Sequence, residues 1–128
     1  MSDATATPYQ LLGGEAGVLH LVDRFYNFMD ADPRVKPLRD IHPPDLEDSR
    51  RKLYMFLSGW LGGPNLFVEA FGHPRLRARH LPFAVDEAMR DAWMLCMHEA
   101  LNGLEASPEV TRRLYDALWD LADFMRNR

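Results

Sequence analysis

Glycine and proline punctuate this chain at Gly13-Gly14, Pro33, Pro37, Pro43-Pro44, Gly62-Gly63-Pro64, Pro74, Pro82 and Pro108. Between those marks apolar residues recur at intervals of three and four, which places them on one face of a helix. Strands would need sustained alternation or β-branched runs, and no segment supplies either. The pattern therefore reads as all-α, with short helices packed ridges into grooves around one core.

The first helix is expected over residues 8–12, closed by Gly13-Gly14. A second spans residues 15–30, with Val18, Val22, Phe25, Tyr26 and Met29 on its inner face. Asp32-Pro33 breaks it, and a loose proline-rich segment is expected as far as Pro44. Residues 45–61 form a helix in which Leu53, Phe56, Leu57 and Trp60 make a stripe facing the core. Gly62-Gly63-Pro64 stops it. Residues 65–82 have weak periodicity, and a short helix and a loop both fit. Asp86 is placed to cap a helix running to Asn102, with Met89, Trp93, Cys96, Met97 and Ala100 inside and Gly103 in the position of a C-terminal glycine. The last helix opens on Ser107-Pro108 and buries Val110, Leu114, Leu118, Leu121 and Met125.

The 128 residues suit a single domain over 1–128, with residues 1–8 a flexible lead-in. A net charge of −4 without a basic block argues against nucleic acid as a partner. No apolar run approaches the roughly 20 residues needed to cross a bilayer, so no membrane partner is expected. Met1–Pro8 lacks the apolar centre of a signal peptide. The lone Cys96 permits neither a disulfide framework nor a thiolate metal cluster, and its inner-face position suits a small buried apolar residue. A reducing, cytoplasmic setting follows from that reading. Leu, Met and Trp on helix faces leave a homodimer open, although nothing marks an interface.

Chemistry concentrates in the middle of the chain. His80 ends the basic stretch Arg75-Leu76-Arg77-Ala78-Arg79 and precedes the apolar Leu81-Pro82-Phe83. A neutral imidazole is a good iron ligand, and the propionates of a porphyrin call for cations at the pocket rim. The same run also reads as a solvated arginine-rich loop. Tyr26 and Trp93 fall at core positions, where packing is the ordinary role. Their O–H and N–H groups can equally point at a polar ligand.

Six motifs in order resemble the truncated hemoglobins of the second group, the O type: Gly13-Gly14; Arg24-Phe25-Tyr26; Lys52-Leu53-Tyr54-Met55-Phe56-Leu57; Gly62-Gly63-Pro64; Gly72-His73-Pro74-Arg75-Leu76-Arg77 running to His80; and Asp91-Ala92-Trp93. The resemblance covers nearly the whole chain, from about Tyr9 to Met125. It implies a shortened globin, a two-over-two helical sandwich around heme b. By position it makes His80 the proximal iron ligand, and Tyr26 and Trp93 distal groups. Phe25, Leu53, Phe56, Phe67, Phe83 and Met97 become heme contacts, and Lys52 and Arg79 the propionate partners. Ser49 stands where many globins carry a distal histidine. His42 stands where the family commonly has tyrosine or phenylalanine, which makes it a third distal group able to donate to a ligand. Its charge changes near pH 6.5 in an unperturbed ring.

The implied small ligands are oxygen, nitric oxide, carbon monoxide or peroxide. The implied activities are oxygen binding and redox chemistry of the nitric oxide dioxygenase or peroxidase kind, drawing on an external reductase. Two other classes compete. One is a heme-based sensor or electron-transfer module in which His42 approaches the iron. The other is a helical interaction domain with no cofactor, which would purify colourless.

Overall fold

The computed structural model describes residues 6–128. α1 (Pro8–Leu11) opens on a reciprocal cap: Thr7 Oγ1 accepts from the Gln10 amide at 3.2 Å, and Gln10 Oε1 accepts from the Thr7 amide at 2.9 Å. Of the flexible lead-in expected over residues 1–8, positions 1–5 lie outside the described residues, while Thr7 and Pro8 cap and begin this helix. The chain then reverses through Gly13 and Gly14 at φ 102° and 69°, a conformation that L side chains resist. α2 (Gly14–Ala31) follows and buries Val18, Leu21, Val22, Phe25, Tyr26 and Met29 along one stripe.

The proline-rich segment is more ordered than the expected loose stretch. The Asp32 side chain accepts from the Arg34 amide at 2.9 Å and starts a 3-10 turn, Pro33–Val35, that leads into α3 (Lys36–Asp40). Pro33 and Pro37 sit in opening positions, where a missing N–H and a fixed φ favour the helix instead of breaking it. Val35 and Leu38 are consequently driven into the core.

α4 (Glu47–Trp60) carries Glu47 and Asp48 at its positive end. Its expected stripe is realised only in part. Leu57 is fully buried beside Ser58, whereas Trp60 on the last residue is 37% exposed. Leu53 and Phe56 are half-buried, because the face they share looks into a cavity and not onto another helix. Residues 65–82 resolve the alternative of helix or loop as both: α5 (Leu66–Phe71), then a loop, then α6 (Leu76–His80). α7 (Glu87–Asn102) and α8 (Pro108–Phe124) begin as their sequences dictate. Asp86 accepts from the Met89 amide at 2.8 Å, and Ser107 Oγ accepts from the Val110 amide at 3.2 Å.

α2 packs on α4 and on α7, and α7 packs on α8, so two helix pairs face each other. Phe25, Met29, Leu57, Cys96, Met97 and Leu118 fill the space between them. No strand occurs among the described residues. The core is locked at one end by Arg24. Its Nε donates to the Ala100 carbonyl at 3.1 Å, which also accepts from the Gly103 amide at 3.3 Å, and its Nη2 donates to the Glu99 carbonyl at 2.9 Å at the end of α7.

Gly103 is the C-terminal glycine of α7, as expected, at φ −91° and so outside the left-handed region. A Cβ there would push the Arg24 guanidinium off its carbonyl partners. Gly103→Ala and Arg24→Met should therefore each lower unfolding free energy by about 1–3 kcal/mol, the cost of removing the two Arg24 bonds and leaving the Glu99 carbonyl without its side-chain donor. The double variant should be barely worse than the worse single one in urea denaturation. Full additivity would break the link between the two residues.

Candidate functional site

A cavity of about 430 Å³ lies between α2, α4, α7 and the segment carrying α5 and α6. That volume is within the usual range for a small-molecule or cofactor site. Its wall includes Tyr26, His42, Ser49, Lys52, Leu53, Phe56, Phe67, Arg79, His80, Phe83 and Trp93. The site residues singled out from the sequence thus converge, with two exceptions. Phe25 and Met97 are fully buried and do not reach the wall. Phe25 stands behind it, edge-on to Tyr26 at 5.0 Å and to Trp93 at 5.1 Å between ring centroids.

His80 is the last residue of α6. Its Nδ1 lies 2.6 Å from the Leu76 carbonyl, one helical turn back. A carbonyl only accepts, so in the neutral ring Nδ1 carries the proton and Nε2 the lone pair. This is the state a ring needs in order to bind a metal through Nε2, with orientation set by the other nitrogen. His42, just past α3, repeats the device: its Nδ1 lies 2.8 Å from the Leu38 carbonyl. Neutral His42 therefore offers the cavity a lone pair and not the donor expected from the sequence; only the protonated ring donates there.

Tyr26 and Trp93 bring an O–H and an N–H to the same cavity. Both are on the wall, and neither the Tyr26 hydroxyl nor the Trp93 indole N–H has a hydrogen-bond partner among the described residues. Burial drives the Tyr26 phenol far above its ordinary range, although Arg50, 5.7 Å from the ring centroid, pulls the other way. The hydroxyl accordingly keeps its proton. The Tyr26 and His42 rings meet edge-on at 6.0 Å.

Cations stand on the same wall. Lys52 pairs with Asp48 at 2.9 Å and sits 6.0 Å from the Phe71 ring. Arg79 donates to the Pro74 carbonyl at 2.6 Å and lies over the Phe67 ring at 5.2 Å. Neither is neutralised by a buried partner, so both remain available to anionic groups of an occupant. Arg90 was not anticipated as a wall residue. It is held by Asp123 at 2.7 Å and Asp91 at 2.9 Å and covers Trp119 at 4.7 Å. Val85, Met89, Leu121, Ala122 and Met125 complete an apolar wall. Helical spacing had marked three of these as core, since periodicity reports which face is inward and not whether it meets protein or a void.

Among the described residues no three side chains of His, Cys, Asp or Glu gather to hold a metal. Imidazole nitrogens in an apolar slot with cations at hand fit instead a metal that brings a flat, anionic macrocycle with it.

Burial lowers the affinity of His42 for a proton below the usual imidazole value of 6.5, its bond to Leu38 opposes this, and Arg39 and His80 lower it further. The unfolded chain then binds the proton more readily. Stability from neutral His42 is fully present above the unperturbed value and is lost as pH falls below it. Between about pH 7.5 and about pH 5 the urea midpoint of the parent protein should fall more than that of His42→Phe. Parallel profiles would mean that His42 is not desolvated.

The chain matches the bacterial-like globin family over residues 7–127. It is 39% identical over 128 residues to the group 2 truncated hemoglobin of Bacillus subtilis, covering 100% of this chain and 94% of that protein. Among solved structures it superposes with a TM-score of 0.93 on a cold-adapted truncated hemoglobin from the Antarctic marine bacterium Pseudoalteromonas haloplanktis, at 48% identity, covering 95% and 98% of the two chains. It superposes with a TM-score of 0.92 on the group II 2-on-2 hemoglobin of the plant pathogen Agrobacterium tumefaciens, at 41% identity, covering 99% and 98%.

Proposed function

Because the chain belongs to the bacterial-like globins, as a group 2 truncated hemoglobin of two-over-two fold, we propose that His80 is its axial iron ligand and that Tyr26 and Trp93 hold a small ligand on the opposite side. Heme b is the cofactor of this family, and small-ligand binding is its function. When bound, heme supplies an iron with a coordination position for a diatomic ligand and the capacity to exchange an electron.

The observation that carries the assignment is the His80 ring itself. It lies on the wall of the cavity with Nδ1 engaged by Leu76 and Nε2 bare. Leu53, Phe56, Phe67 and Phe83 give the apolar slot, and Lys52 and Arg79 receive the propionates. Phe25 and Met97 act one layer back, holding the wall in place. The Tyr26 hydroxyl and Trp93 indole N–H donate to the negative end of a polar ligand. A neutral hydrogen bond contributes on the order of 1 kcal/mol, and more where water is excluded. Two such donors slow ligand release by roughly ten- to a thousandfold, since about 1.4 kcal/mol is tenfold. Such retention suits redox turnover better than carriage. Oxidation of nitric oxide or reduction of peroxide, with electrons from a separate reductase, is the reaction class proposed.

One observation favours a second reading. His42 presents a second bare Nε2 to the same cavity. With both imidazoles on the iron the protein would be a sensor or electron-transfer module, and the ferric spectrum would be low-spin. In that case His42→Phe should convert it to high-spin.

His80→Ala should lose the Soret band or bind heme far more weakly, and an unaltered spectrum would remove His80 from its role. Tyr26→Phe and Trp93→Phe should each raise the oxygen dissociation rate by roughly tenfold and shift the carbon monoxide stretching band. No change in either variant would end the hydrogen-bond account.

A further inference from the structure

The helix that carries His80 has little apolar hold on the protein. α6 is five residues long, none of them buried, and Arg75 before it sits at φ 46°, a left-handed conformation that costs a non-glycine residue energy. The grip on it comes from the segment that follows α8. Asn127 Nδ2 donates to the Phe83 carbonyl at 2.9 Å and to the His80 carbonyl at 3.3 Å, while its Oδ1 accepts from the Val85 amide at 2.9 Å. The Asn127 amide donates to the Val85 carbonyl at 2.9 Å. Arg77 of α6 adds a long bond to the Arg126 carbonyl at 3.4 Å and lies 6.0 Å from the Phe124 ring centroid.

From this geometry we infer that Asn127 is a positioning residue for His80, clamping the His80–Val85 turn so that the imidazole it carries is held in place for the metal it would bind. The inference rests on the reading of His80 as the ligand. One asparagine supplies both donors and the acceptor that the turn needs, and no side chain of similar size does so. Aspartate keeps the acceptor but sets a carboxylate against two carbonyl oxygens. Alanine keeps only the main-chain bond to Val85. The ring's own bond to Leu76 fixes its rotation about the helix, whereas Asn127 fixes where the end of that helix lies.

The test uses heme-loaded Asn127→Ala and Asn127→Asp proteins beside the parent. Resonance Raman of the ferrous, ligand-free form should show the iron–histidine stretching band shifted or broadened in both. Heme transfer to excess apomyoglobin should be about tenfold faster, the loss of roughly one strong hydrogen bond. The carbon monoxide stretching band, which reports Tyr26 and Trp93, should not move. An unchanged iron–histidine band with heme transfer within about twofold of the parent would overturn the inference. So would a shift in both bands together, which would mark general disruption. Failure of the underlying reading looks different: His80→Ala would then keep the parent spectrum whatever the Asn127 variants do.

Discussion

The contact between α2 and α7 at Phe25 is the constraint from which the rest of the molecule is arranged. The ring is fully buried and stands edge-on to both Tyr26 and Trp93. It adds packing energy of its own, and it fixes two polar-tipped aromatic residues from different helices relative to each other. Arg24, the preceding residue, ties α2 to the carbonyl end of α7. Consecutive residues thus set the lateral position of α7 and the facing of its tryptophan. A cavity wall built on two packed helices holds its donors more firmly than a loop would.

Against that firm wall the histidines are placed by a different means. Each follows or ends a five-residue helix and uses Nδ1 to bond a carbonyl four residues back. Local geometry alone therefore selects the tautomer, without a buried carboxylate to raise the ring's basicity. The donors and the lone pairs in the cavity come from separate structural sources: hydroxyl and indole from the long helices, bare nitrogens from the short ones.

Much of this was legible in the residues. Caps at Asp86 and Ser107, the stop at Gly62-Gly63-Pro64 and the buried face of α2 follow from local rules and stand as read. Asp32-Pro33 ends α2 as read, but the segment beyond it is helical and not loose, because proline opens a helix as readily as it ends one and Val35 and Leu38 find a core. Leu53, Phe56 and Trp93 look alike as core or as cavity wall in a periodic pattern. Motif resemblance separated them, and it carried Phe25 and Met97 to the wall when they belong one layer behind. Arg90 and Asn127 left no local signal. Arg90 reaches Asp123, 33 positions away, and the side-chain partners of Asn127 lie 42 to 47 positions away, separations at which only the folded chain reveals a contact.

The weak apolar anchoring of α6 bears on how such a protein is assembled. Free energies of local opening vary across a structure, and segments held by hydrogen bonds rather than buried carbon lie at the low end. Freeing α6 gives up a handful of polar bonds that water replaces, while the layer containing Phe25, Leu57 and Leu118 stays packed. The cavity thus has a floor that can swing aside without melting the walls. With His80 in its proposed role, a flat, rigid guest would enter by partial unlatching of this one short segment, and its bond to the segment would shut the door behind it.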